Sequence, residues 1–288
     1  MPLDQLIAQQ NSDGGWPYRR GISWTEPTVY AVLALLSAGE TEAARRGIHW
    51  LQSLQRHDGG WPPQTGVDES TWVTALVAMT PPELLGADRH RKAITWLAGL
   101  TGEESQLVYR TREWLLGHTR PTDQQFPGWP WVPDTAAWVA PTSFAILALR
   151  KECRRAPNSR LEQRIDEGRR FLLLRMCAEG GWNHGSVRAL GYESNPYPET
   201  TGLALAALGG IRSPKIDRAL GVARAFLKNC QSADAYNWLR FGLMAHHALA
   251  ADELPPERWQ YRSIPETALA ALAAAAQQGR GSALGILS

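Results

Sequence analysis

The chain has 288 residues, 44% of them hydrophobic, and a net charge of +2. That length is enough for one large core, the charge is too slight to argue for nucleic acid or an anionic membrane, and no apolar stretch is long enough to span a bilayer. Cys153, Cys177 and Cys230 are odd in number and far apart, and "MPLDQLIAQQ" lacks a basic region followed by an apolar run, so the reading is a reduced, cytoplasmic protein.

In chain order, "LIAQQNSDGGW" ends at Trp16 and is followed by "EPTVYAVLALL" from Glu26. "GIHWLQSLQRHDGGW" ends at Trp61 and is followed by "ESTWVTALVAM" from Glu69. A third small-residue helix, "APTSFAILALR", starts at Ala140, after a longer insertion whose text "EESQLVYRTREWLLGHTRPTDQQFPGWPWVP" holds an amphipathic helix and a Pro/Trp-rich loop. Long loops of this kind are often lids, and this one is expected to border a cavity mouth. "GRRFLLLRMCAEGGW" ends at Trp182 and leads into "ETTGLALAALG" from Glu199, and "ETALAALAAAA" from Glu266 is the last of the set. Degraded copies lie near 126–137 and 226–239. The chain is therefore a tandem array of helix pairs with a period of roughly 45 to 60 residues. The Arg-rich stretch from Arg150 to Arg175 is interleaved with Glu152, Glu162, Asp166 and Glu167, which marks a solvated helix face.

The two helix types predict their places. The first carries Arg, Gln and Glu on one face and Leu, Ile and Trp on the other, so it belongs outside. The second is Ala, Leu, Val and Thr nearly all round, so it belongs inside, with Ala31, Leu35, Ala75, Ala145, Leu149, Ala204 and Leu208 in the core. The expected fold is all-α: a single α/α toroid spanning 1–288, with five or six helix pairs and an inner apolar ring within an outer one.

Gln10 with Trp16, Gln55 with Trp61, and the pairs Trp50-Leu51 and Phe171-Leu172 resemble the Gln-Trp repeats of the squalene-hopene cyclase and prenyltransferase β-subunit superfamily. The resemblance implies an apolar cavity suited to an isoprenoid. Protonating members share an Asp-x-Asp-Asp-Thr-Ala signature, and "WVPDTAAW" matches its end at Asp134, Thr135 and Ala136, with Trp131 and Pro133 where the first and middle Asp stand. The zinc-binding branch uses an Asp-x-Cys pair, and none of the three cysteines follows an Asp by two residues; nor does the chain contain an Asp-Asp pair for magnesium-bound diphosphate. No metal and no cofactor is expected.

The acids at inner-helix starts have two readings. As caps they meet unpaired N–H groups and the positive end of the helix dipole. As a site, Glu26, Glu69, Asp134, Glu199 and Glu266 gather at one mouth of the barrel, with Asp134, Glu69 and Glu199 as the candidate catalytic acids. Trp24, Glu26, Tyr30, Trp72, Trp131, Trp138 and Phe144 are the candidate substrate-binding residues, their rings able to shelter carbocations or simply to pack. Two functions follow: an isoprenoid cyclase or isomerase started by protonation, or a non-catalytic toroid that binds a lipid or a protein partner.

Overall fold

The computed structural model describes residues 2–105, 110–112, 115–116, 126–185, 188–189, 192–249, 259–280 and 283–286. Most of the long insertion, from 106 to 125, lies outside the described residues.

Six helices form the inner ring: α2 (Thr25–Ala38), α4 (Val73–Val77), α7 (Val139–Arg155), α9 (Pro198–Ala207), α11 (Ala233–Ala245) and α12 (Ile264–Gln277). Each packs on the next in that order, and α12 packs on α2, so the ring closes. Ala31, Leu35, Ala75, Ala145, Leu149, Ala204 and Leu208 are all buried in it. Outside stand α3 (Thr41–Leu54), α6 (Ala87–Gly99), α8 (Ser159–Leu174) and α10 (Pro214–Asn229), each against its inner neighbours, with α1 (Pro2–Ala8) against α12 and α2 and the short α5 (Pro82–Leu85) between α3 and α6. The face that α3 buries, Ala44, Gly47, Ile48 and Leu51, recurs at helical spacing, as an outer helix with one wet side requires. The sequence reading aligned five inner helices; α11, read as a degraded copy, is the sixth.

The Trp turns join the two rings by one repeated set of bonds. The indole N–H groups of Trp16, Trp61, Trp129 and Trp182 donate to the carbonyls of Leu6, Leu51, Leu97 and Leu172 at 2.7–2.8 Å. Their backbone N–H groups donate to the hydroxyls of Thr28, Thr74, Thr142 and Thr201 on the inner helices. All four rings are buried, so each indole has its single donor satisfied and its faces packed. Gly47 makes room for this: a Cβ there would lie 2.6 Å from the Trp16 ring. Gln10 and Gln55 fasten the same turns, each amide donating to the turn carbonyl four residues on and to the next outer helix, at Ala43 and Arg89.

In the second repeat the threonine that meets the Trp is Thr74, three residues beyond the position that a gapless alignment selects. The loop after Trp61 is longer than the loop after Trp16, so α4 starts at Val73 and Glu69 precedes it by four residues.

A second series of bonds runs round one end of the barrel. The carbonyl two residues after each turn Trp accepts from the start of the preceding inner helix: Thr25 donates to Pro63, Trp72 to Trp131, and Val139 to His184, at 2.8–3.0 Å. Ile264, the first residue of α12, donates to the Tyr18 carbonyl in the same way, so four of the six inner helices are tied at this end. This end, where all six inner helices begin, is the mouth. At the opposite end Lys151 Nζ donates to the carbonyls of Met79 and Ala283, Arg154 to Gly285, Arg150 to Ala206 and Ala207, and Arg280 to Ser37. The tail there, with Leu284 and Ile286 buried, lies against α7 and ties that end together.

Candidate functional site

Helix geometry sets the site in two layers, because side chains four apart share a face. On α2, Glu26 stands one turn above Tyr30; on α11, Asp234 stands one turn above Trp238. On α7 the same spacing leads from Ala140 to Phe144. The lower layer is aromatic and crosses the barrel. Trp238 meets Tyr30 edge-on with ring centroids 6.5 Å apart and Phe144 at 5.5 Å, although α2 and α7 are not its neighbours in the ring. Contacts between non-adjacent inner helices pass through the centre, so Trp238 is the middle of a floor. Phe144 stacks on Trp72 at 5.1 Å, and Trp72 meets Trp131 edge-on at 5.0 Å, carrying the floor to the hairpin β1 (Trp129–Pro130) and β2 (Ala137–Trp138).

The upper layer is acidic. Glu26, Glu199, Asp234 and Glu266 each lie in the first turn of an inner helix. Glu26 accepts the Tyr18 hydroxyl, and Glu266 accepts the Arg262 backbone N–H at 2.6 Å. Burial lifts the Glu26 carboxyl to about 7, against the pull of the Tyr18 bond and with a further push from Glu199. Burial also lifts Asp234, to about 8, with Glu199, Glu26 and Glu266 adding to it. Loss of solvent around its carboxyl raises Glu199, while His184 pulls it down. Tyr30, buried beneath these acids, is held well above the ordinary phenol range by burial and by their charges. Burial, with the charge of Glu199 reaching both Glu26 and Asp234, thus favours the protonated form of those two carboxyls.

Of the residues named from sequence, Glu26, Tyr30, Glu199, Trp72, Trp131 and Phe144 come together here. Trp24 caps α2 and tilts against the Tyr18 ring at 5.5 Å. Trp138 caps α7 and is 39% exposed. Asp134 is exposed in the turn between β1 and β2, with a positive φ of 59°, and Glu69 is exposed on the loop before α4. Asp234 and Trp238, the centre of both layers, were not among the residues named. Their helix lacks a Gly-Gly-Trp turn before it, and Asn237 and Arg240 give it the look of a wet helix, yet both are buried and bonded to each other at 3.0 Å. The signal that finds Asp234 is its place: two residues after a capping Ser232, as Glu26 follows Trp24 and Glu199 follows Tyr197.

Among the described residues no group of His, Cys, Asp and Glu is arranged to hold a metal ion, and no helix is long and apolar enough to cross a membrane. The insertion expected as a lid falls mainly outside the described residues; its described end reaches the mouth, where Trp131 accepts from Trp72.

No family model matches the chain. Over 120 residues it is 27% identical to the squalene–hopene cyclase of Zymomonas mobilis, a match that spans 35% of this chain and 18% of that protein. The structure of the type II terpene cyclase MstE from Scytonema is similar with a TM-score of 0.57 and 17% identity, over 88% of this chain and 73% of that one. A GH8 endo-β-1,4-glucanase from an Achatina fulica gut metagenomic library is similar with a TM-score of 0.61 and 12% identity, over 95% and 97% of the two chains. The structural matches show the α/α toroid, and the sequence match adds likeness to terpenoid cyclases, of which this chain spans only a small part.

Proposed function

We propose that this terpenoid cyclase-like toroid binds an isoprenoid-like ligand at its acid mouth and starts a cyclisation or isomerisation by protonating it. One observation carries the reading: Glu26, with its carboxyl held up to about 7, stands one helical turn above Tyr30, whose ring belongs to a floor spanning the barrel. A carboxyl that stays neutral is the acid an alkene needs, and aromatic faces stabilise the cation that results. The sequence similarity to a squalene–hopene cyclase supports the ligand class. Of Asp134, Glu69 and Glu199, the reading rests its weight on Glu199, which shares the acid group with Glu26.

The experiment is incubation with squalene and with linear prenyl substrates, followed by mass spectrometry of the products. A cyclised or isomerised product is expected from at least one of them. Substituting Glu26→Gln, Glu199→Gln, Asp134→Asn and Glu69→Gln singly is expected to abolish turnover in Glu26→Gln at least, while stability changes by only about 1 kcal/mol. No product from the parent protein with any of these substrates overturns catalysis, and a polyprenoid extracted from the purified protein would then leave a binding toroid.

A further inference from the structure

The outer wall of the barrel, away from the mouth, holds a second hollow. A cavity of about 610 Å³ lies between the outer helices α6 and α8, beside the end of α7. Pro82, Ala87, Ile94, Ala98 and Leu161 give it apolar sides, and His90 and Glu152 meet in its wall. Both are withdrawn from solvent: His90 is 4% exposed, and the Glu152 side chain 12%.

The bonds of these two residues leave a gap between acceptors. His90 Nε2 lies 3.0 Å from the Ala78 carbonyl at the end of α4. A carbonyl can only accept, so Nε2 carries the ring hydrogen and the neutral imidazole presents a bare lone pair at Nδ1. Nδ1 faces Glu152 Oε2 at 3.9 Å, too far for a hydrogen bond. Arg155 Nε and Nη2 donate to Glu152 Oε2 and Oε1 at 3.0 and 2.7 Å, so both carboxylate oxygens act as acceptors. Burial holds the His90 imidazolium below the ordinary histidine range, against the pulls of Glu152 and of the Ala78 bond and with pushes from Arg155 and Lys151. The ring therefore does not supply the missing proton at neutral pH. Among the described residues no other donor reaches Nδ1. Two buried acceptors facing each other across such a gap call for a donor from outside the chain.

The same cavity is lined by Arg91, Arg155 and Arg160. Arg91 is paired with Asp88 and Arg155 with Glu152, whereas the Arg160 guanidinium has no partner among the described residues. A donor is thus matched inside and an anion at the rim. We infer that this cavity binds an amino acid with an apolar side chain, its ammonium set between His90 Nδ1 and Glu152, its carboxylate toward Arg160 and its side chain against Ile94 and Leu161. The site is separate from the acid mouth and does not depend on the activity proposed there.

The titratable and charged groups about His90 are Glu152, Arg155 and Lys151 on α7, Asp88 and Arg91 on α6, Glu83 on α5 and Arg160 on α8. Protonating His90 puts a hydrogen on Nδ1, which closes the gap from within and sets a cation against the ammonium. Binding is therefore full above the His90 transition and lost as pH falls through it.

The test is isothermal titration calorimetry of the full chain with L-leucine, with 4-methylpentanoate, which lacks the amine, and with 3-methylbutylamine, which lacks the carboxylate. At about pH 8 leucine is expected to bind at least about tenfold more tightly than either analogue, and to weaken toward about pH 5. Glu152→Gln brings in an amide that can itself donate to Nδ1, so it is expected to weaken leucine at least about tenfold. Arg160→Ala, at an exposed position, is expected to weaken leucine and leave 3-methylbutylamine unchanged. Thermal melting checks that both variants are folded. In the parent labelled with ¹⁵N-histidine, leucine is expected to move the His90 Nδ1 resonance, a readout that needs no variant. No leucine binding at millimolar concentrations, 4-methylpentanoate binding as tightly as leucine, or leucine binding that leaves the Nδ1 resonance in place overturns the inference. A folded Glu152→Gln that binds leucine as the parent does overturns it as well.

Discussion

Trp61 and Trp182 are buried plates with their N–H groups spent on the preceding outer helix, so nothing of them is left for a ligand. Replacing either by Ala removes a ring that two helix layers pack on, and is expected to cost about 3 to 5 kcal/mol in denaturant unfolding. Trp138, 39% exposed at the rim, is expected to cost less than about 1 kcal/mol on the same scale. Comparable losses at all three would remove the distinction between plate and rim. Asp234 makes a different demand, on pH. Its proton is bound more tightly in the folded chain, with a transition at about 8, than in the unfolded chain, where a carboxyl titrates near an ordinary value of about 4. Between those values the folded state holds the extra proton, so stability falls as pH rises from one to the other and levels off above. Melting temperature is expected to drop from pH 5 to pH 9 in the parent and to drop less in Asp234→Asn. An unchanged drop would assign the titration to Glu26 instead.

Among the elements, α9 and α11 approach most closely, and glycines permit it. A Cβ at Gly202 would lie 2.3 Å from the Trp238 carbonyl carbon, inside the backbone of the facing helix, where no rotamer change can give relief. Gly202→Ala is therefore expected to push α11 outward and to cost at least about 2 kcal/mol, with loss of the Trp238 contacts to Tyr30 and Phe144. Gly221→Ala, on α10 with nothing within 4 Å of its Cβ, is expected to be neutral or to gain about 0.5 to 1 kcal/mol from helix propensity. Equal effects would refute the close-approach account. These helices also show what could be read beforehand. Inner helices were legible where Ala, Leu, Val and Thr run nearly all round, with a Gly-Gly-Trp turn before α2, α4 and α9 and without one before α7 and α12. The helix α11 has no such turn, and Arg240 and Asn237, bonded to each other and to Gln277 and Ala233 inside the barrel, give it the composition of a wet helix. The start of α4 was misplaced because a loop of different length keeps its inner bond, Trp61 to Thr74, while shifting every residue between. Sequence carries the composition of a helix far better than its register against neighbours, and the acid layer depends on register.

At the scale of the molecule, all six inner helices point the same way, and the two ends differ in consequence. Their N-termini converge on the mouth, where unpaired N–H groups and the positive ends of the helix dipoles favour the acids found there. Their C-termini converge on the opposite end, where Arg150 and Lys151 donate to the carbonyls of Ala206, Ala207 and Met79. Lys151 also holds the tail through Ala283, at 2.8 Å, so one ammonium joins α4, α7 and the chain end. The ends are thus built from different parts, and they are expected to fail separately. Truncation after Gly279 removes the Arg280 bond to Ser37, the Ala283 and Gly285 carbonyls, and the buried side chains of Leu284 and Ile286. Burial of two such side chains contributes about 1.5 to 3 kcal/mol each, so unfolding free energy is expected to fall by about 3 to 6 kcal/mol. The bonds at the mouth, from Thr25 to Pro63 round to Ile264 and Tyr18, involve none of the lost residues. Squalene or farnesol titrated against the truncated chain below its melting range is therefore expected to bind as it does to the parent. A matching loss of binding would mean that the tail supports the aromatic floor from beneath, and that the two ends of the barrel act as one.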